Sequence, residues 1–243
     1  RVPVIAELLA QAACDSTSGP FRDFSLSEEE LYELYIASWL HDCGKVTTPE
    51  YVVDKATKLE TIYDRIETVK TRLEVLKRDA EIAYLKAATE PGADAESLRA
   101  EFEARLAELD DHGAFLENAN LGGEFMADEM IERVQEIAAL SWRDASGQEQ
   151  PFLSENEVDN LCIKRGTLND EEREVINNHI VMTIEMLEQL PFPKTLVRVP
   201  EFAGGHHEKL DGTGYPQGLT GEQMSLPARM MAIADIFEAL TAA

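Results

Sequence analysis

The residues best suited to chemistry are His41-Asp42, His179, His206-His207-Glu208 and Asp235. Each histidine falls on a stretch of helical period at a position expected to face inward, and Asp235 shares an apolar stripe with Met231, Ala232 and Ala239. One inward histidine is commonly a satisfied core residue, and a His-Asp dipeptide alone is weak evidence. Four inward imidazoles with two inward carboxylates are costly to bury unless something binds them, and a metal ion does that. Imidazole and carboxylate without thiolate suit Fe(II), Mn(II) or Zn(II). Neighbouring helix residues point about 100° apart, so His206 and His207 are expected to serve different ions, with Asp42 bridging two of them. Paired ions about 3.5–4 Å apart suit in-line displacement at phosphorus. Lys45, three residues past Asp42 and beyond Gly44, would bring an ammonium to a phosphoryl oxygen. Its other reading is a solvated lysine at a helix end.

The elements that must position these residues read almost entirely as helix, without a convincing alternating strand. Val2, Ile5, Leu8 and Leu9 open the first helix, and Ser18-Gly19-Pro20 breaks the chain. Ser27 and Glu30 form a capping box ahead of Leu31, Leu34, Tyr35 and Ser38, in a helix that runs to His41 and should stop near Gly44. Asn169 and Glu172 cap a helix carrying Val175, Ile176, Ile180, Ile184 and Leu187. Val199, Phe202, Ala203 and His206 sit at i, i+3, i+4 and i+7, and Pro227 opens the last helix.

Between these stretches the pattern changes. Leu59, Ile62, Ile66, Val69, Leu73, Leu76, Ala80 and Ala83 alternate steps of three and four, a heptad seam. Pro91-Gly92 breaks it, Leu98, Phe102, Leu106 and Leu109 restart a helix, and Phe125, Met126, Met130, Val134, Ile137 and Ala138 suggest a third. The expectation is an antiparallel helical arm over 58–163, with an ordinary bundle as the alternative, interrupting a core of 1–57 and 164–243.

With 22 Lys and Arg against 47 Asp and Glu, the net charge of −25 argues against a surface that grips a nucleic acid polymer or anionic lipid. Cys14, Cys43 and Cys162 form no C-x-x-C pair, which points to a reducing compartment. The chain begins at Arg1 and ends at Ala243 inside a helical pattern, as expected of a piece cut from something longer.

His41-Asp42-Cys43-Gly44-Lys45 resembles the H-D-x-G-K signature of HD-domain phosphohydrolases. The run from His206 to Pro216 (HHEKLDGTGYP) resembles the H-H-E-x-x-x-G-x-G-Y-P signature of the HD-GYP subfamily. Leu168–His179 and Ala234–Thr241 are similar to two further elements of that subfamily. The resemblance implies an all-α HD-domain bundle that hydrolyses cyclic di-GMP at a site of two or three metals, Fe(II), Mn(II) or Zn(II). It implies that His41, Asp42, His179, His206, His207 and Asp235 are the metal ligands and that Asp42 bridges. It implies that Lys45 contacts a substrate phosphate and that Gly212, Gly214, Tyr215 and Pro216 border the guanine-nucleotide site. A further family ligand would precede Arg1, and phosphate-binding basic residues would follow the final helix.

The reading that follows is a phosphodiesterase in which a hydroxide held between the ions attacks phosphorus and releases linear pGpG, and onward GMP. The alternatives are a catalytically weak cyclic-dinucleotide sensor or partner-docking module, and a hydrolase of another cyclic dinucleotide. The arm is expected to serve dimerisation or regulation. The parent is expected to be a cytoplasmic signalling protein, or the cytoplasmic output domain of a membrane-anchored receptor, with sensor segments upstream.

Overall fold

The computed structural model describes residues 1–123 and 125–241. In chain order its helices are α1 (Val2–Cys14), α2 (Glu28–Leu40), α3 (Glu50–Val53), α4 (Ile66–Ala88), α5 (Ala95–Asn120) and α6 (Asp128–Ala138). They continue as α7 (Glu155–Leu161), α8 (Asp170–Asn177), α9 (His179–Glu188), α10 (Val199–Gly204) and α11 (Leu226–Thr241). The fold is all-α apart from one short antiparallel hairpin, β1 (Ser141–Arg143) and β2 (Glu149–Pro151), with Trp142 opposite Gln150. That hairpin escapes a period-based reading because three residues per strand give too little alternation; its Asp144–Gln148 turn is held by the Asp144 carboxylate instead. No described helix is long and apolar enough to cross a membrane.

The chain folds as two compact units, Arg1–Pro49 with Glu174–Ala243, and Glu50–Arg173. In the first, α1 packs on α2 and α11, and α10 packs on α2, α9 and α11. Its core is Leu34, Ala37, Leu187, Val199, Phe202, Met231 and Ala234 with the small faces of Ala6 and Ala10. The alanines let α1 approach closely, and burial of a side chain such as Phe202 contributes about 1.5–3 kcal/mol. The start of α2 is fixed by the expected capping box: Ser27 Oγ accepts from the Glu30 amide, and the Glu30 carboxylate accepts from the Ser27 amide.

The second unit is built on the antiparallel pair α4 and α5, joined at the Pro91-Gly92 break, with α6, α7 and β1 packed on it. Leu59, Val69, Leu73, Leu109, Leu116, Val134, Ile137, Phe152 and Leu161 form its core. The α4 seam begins later than its period suggests. Ile62 is 96% exposed, because residues before Ile66 make a turn in which Asp64 accepts from Thr57, Ile66 and Asn120. Likewise α6 begins at Asp128, and Met126 precedes it with its amide bonded to Lys164.

Candidate metal centre

Three of the four inward histidines are oriented by a helix carbonyl three residues earlier. His41 Nδ1 lies 2.8 Å from the Ser38 carbonyl, His206 Nδ1 lies 2.6 Å from the Ala203 carbonyl, and His179 Nδ1 is bonded to the Ile176 carbonyl. A carbonyl accepts only, so each Nδ1 donates and each Nε2 is left with its lone pair. This is the arrangement that second-shell carbonyls impose on metal-binding histidines.

Those three Nε2 atoms face a common centre. Asp42 Oδ1 is 3.2 Å from His179 Nε2 and 3.9 Å from His206 Nε2. His41 Nε2 stands 3.4 Å from both Asp42 Oδ2 and Asp235 Oδ1. His207 Nε2 faces His179 Nε2 at 3.2 Å. Among the described residues two groups of ligand atoms lie close enough to hold a cation: His179, His206 and His207, and His41, Asp42 and His206. Asp235 flanks the second group through His41.

His206 and His207 therefore converge, against the expectation that neighbouring residues diverge. The reason is local. Helix α10 stops at Gly204, and both histidines follow it in a turn, where the 100° helical step of about 3.6 residues per revolution does not apply. Helix continuity also differs from the periodic reading between Asp170 and Glu188, where Asn178 separates α8 from α9 and leaves His179 as the first residue of α9.

The donor set fits a divalent cation. Asp42 Oδ1 and His206 Nε2 are buried without a hydrogen-bond partner. Lone pairs brought together in a dry site repel unless a proton or a metal lies between them. A proton is a poor occupant for part of the cluster. Burial, reinforced by neighbouring imidazoles, pushes His207 down to about 3, and burial pushes His206 down to about 4. His41 moves the other way: burial opposes its charge, but Asp235 and Asp42 together raise it above the ordinary imidazole value. Burial also opposes ionisation of Asp42, yet His179 and Lys45 hold its carboxyl far below the ordinary carboxylate range. Asp235 is lowered chiefly by its contact with His41. Nitrogen and oxygen donors without sulfur suit Fe(II), Mn(II) or Zn(II).

Lys45 leaves the centre by way of Asp42, its Nζ donating to Asp42 Oδ2 at 2.8 Å while the side chain stays 41% exposed. Tyr215 lies over His207, with ring centroids 4.8 Å apart and planes 14° from parallel. Gly212 and Pro216 stand further along that loop. Gly212 neighbours Gly218 and Thr220, beside the bridge between Asp211 and Thr220, and has no ligand within reach of where its Cβ would be.

One residue that the sequence reading passed over, Thr183, and one that it named only beside the histidines, Glu208, set this geometry. Thr183 is fully buried on α9, and its Oγ1 accepts from the Gly44 amide at 2.9 Å, docking the segment after Asp42 onto the first turn of α9. The approach demands glycine: a Cβ at Gly44 would lie 2.0 Å from the His179 carbonyl oxygen. Glu208 is buried and its two carboxylate oxygens accept from the amides of Gln217, at 2.7 Å, and Leu219, at 2.8 Å. The capping signal, a carboxylate near free amides, existed for Glu208 in principle; for Thr183 the sequence carries none.

Residues 156–243, which carry His179, His206, His207 and Asp235, match the HD domain family. With the H-D-C-G-K run just after α2 and the G-Y-P loop after α10, the chain is similar to cyclic-dinucleotide phosphodiesterases over part of its length. It is similar to a 3′3′-cGAMP-specific phosphodiesterase 3 of Vibrio cholerae, 47% identical over 79 residues, which are 32% of this chain and 16% of that protein. It is also similar to the cyclic di-GMP phosphodiesterase response regulator RpfG of Xanthomonas campestris, 34% identical over 133 residues (46% of this chain, 33% of that protein). A cyclic di-GMP phosphodiesterase of Thermotoga maritima is 29% identical over 161 residues, 60% of this chain and 42% of that protein. The chain spans less than half the length of each of these relatives.

Proposed function

We propose that the chain is the hydrolytic part of a metal-dependent phosphodiesterase that opens cyclic di-GMP to linear pGpG. The observation that carries this reading is the pair of buried, unpartnered ligand atoms, Asp42 Oδ1 and His206 Nε2, inside a cluster of oriented imidazoles. His41, Asp42, His179, His206, His207 and Asp235 are the ligands, and Asp42, with oxygens facing both groups, is the shared one. When bound, divalent ions here supply Lewis-acid stabilisation of the phosphoryl oxygens and lower the pKa of coordinated water.

The chain's own residues do the rest. Lys45 holds its ammonium at the rim, anchored by Asp42 and open enough to meet a phosphate oxygen. The loop carrying Gly212, Gly214, Tyr215 and Pro216 borders the nucleotide. In the reaction water adds to phosphorus and the bond from phosphorus to the 3′ oxygen breaks. The proton lost by the water ends on that departing oxygen, so atoms and charge balance.

A second reading has a specific observation behind it. Relatives named as 3′3′-cGAMP-specific phosphodiesterases match at 47% and 48% identity, so the hybrid cyclic dinucleotide is the competing substrate. Incubation with each dinucleotide in Mn(II) or Fe(II), followed by chromatography of the linear product, separates the two. Binding of either without product would leave a sensor and overturn the hydrolytic reading.

A further inference from the structure

His207 differs from the other three histidines of the cluster. Each of those has its Nδ1 tied to a carbonyl three residues back, whereas among the described residues the hydrogen bonding of His207 runs only to His179 Nε2, the neighbour with which it would hold an ion. A ligand with no second-shell bond should swing about its side-chain torsions, at a cost in affinity.

What faces the ring is Tyr215, stacked at 4.8 Å and nearly parallel. The backbone between them is arranged for that contact. The Tyr215 amide donates to the His207 carbonyl at 3.3 Å. Gly214 passes so close to the strand of chain it folds back on that a Cβ there would lie 2.3 Å from the Lys209 nitrogen and 2.5 Å from Glu208 Cα. Glu208 then ties the far side of the loop through two amides. The spacing between the His-His-Glu and Gly-Tyr-Pro segments is thus the length of chain needed to bring an aromatic face back onto the second histidine.

We infer that Tyr215 is a positioning residue for His207: its ring face takes the place of the missing carbonyl bond and fixes the imidazole plane for the cation held with His179 and His206. The inference rests on the metal-centre reading but concerns binding, not turnover. Stacked aromatic pairs prefer offset, near-parallel rings at centroid separations of about 4.5–7 Å, which is the geometry here. The aromatic face, not the hydroxyl, is the working part.

The test measures metal alone. Wild type, Tyr215→Phe, Tyr215→Leu and His207→Ala are stripped and titrated with Co(II), following bound metal per chain and the visible d–d absorption, with the melting midpoint of each metal-free form as the folding check. Tyr215→Phe is expected to bind like wild type. Tyr215→Leu is expected to hold the His207-dependent ion about 10–100-fold more weakly, the range for loss of an outer-shell partner, with a perturbed d–d spectrum. Tyr215→Met replaces Tyr215→Leu should the latter not fold. Full affinity in the non-aromatic variants, or loss in Tyr215→Phe, overturns the inference while leaving the metal centre intact. Full metal binding by His207→Ala overturns both this inference and the ligand role of His207.

Discussion

The two units treat buried polar groups in opposite ways. In Glu50–Arg173 nearly every one is answered. Lys55, buried, donates to both oxygens of Glu172 and to Asn160. Lys58 donates to the Leu161 carbonyl, Asn120 meets Leu59 and Asp64, and Glu157 grips Arg72 while capping α7. His112 Nδ1 is the exception among the described residues of that unit. In the other unit, Glu33 with Arg198, Ser38 and Thr183 are satisfied in the same manner, but Asp42 Oδ1 and His206 Nε2 are not, nor, away from the histidines, is Arg229 Nε. Orphaned atoms cost about 1–3 kcal/mol each. Such a cost placed twice among four histidines, three of them oriented, marks a site built for something other than stability.

If that contrast is right, the largest effect on folding comes from the satisfied unit. Lys55→Met leaves the Glu172 carboxylate facing an apolar surface and is expected to lower stability by about 3–5 kcal/mol, the cost of breaking one side of a buried pair. Urea denaturation reads it, and a change under about 1 kcal/mol would break the comparison. Asp42→Ala should act chiefly on function: it removes the orphaned Oδ1 but also the Oδ2 contact with Lys45, and dinucleotide hydrolysis should fall at least about 100-fold, the scale for losing a charge-stabilising group. Retained turnover in that variant would remove the shared ligand from the mechanism.

Metal removal should come next in size. Ions that bind only the folded chain stabilise it by about 2.7 kcal/mol at a hundred times the dissociation constant. Chelation should therefore lower the melting midpoint of wild type and of Lys55→Met alike, and leave that of Asp42→Ala almost unmoved; calorimetry with and without chelator is the check.

Acidification gives the smallest and most discriminating effect. Metal needs neutral imidazole. His41 is raised above the ordinary value, whereas His206 and His207 are lowered to about 4 and about 3, so protons displace metal first from the His41–Asp42 group. The sign is loss of metal as pH falls, in two steps: first from the His41–Asp42 group and only in stronger acid from the group holding His207. Metal content after dialysis at graded pH should show the plateau, and a single step would mean the two groups act as one.

Much of this was legible in residue patterns. The capping box at Ser27 and the α4–α5 return across Pro91-Gly92 follow from period and punctuation, and the motifs name the five His and Asp residues of the two ligand groups and Asp235 beside His41. What escaped did so for physical reasons. The convergence of His206 with His207 depends on α10 ending two residues early, a tertiary outcome that helical period does not contain. Thr183 and Gly44 meet across 139 positions, and a contact of that range leaves no local pattern. The β1–β2 hairpin is too short to alternate, and the turn ahead of Ile66 hides behind an apolar residue, Ile62, that ends up in water.

The bare-backbone contact at Gly44 has one more consequence. Because nothing thicker than a hydrogen fits between that residue and the His179 carbonyl, α9 and the segment following Asp42 are already at their distance of closest approach. The contact acts as a mechanical stop. A cation of smaller radius could not draw these two walls together, so adjustment to ion size would fall to side-chain torsions.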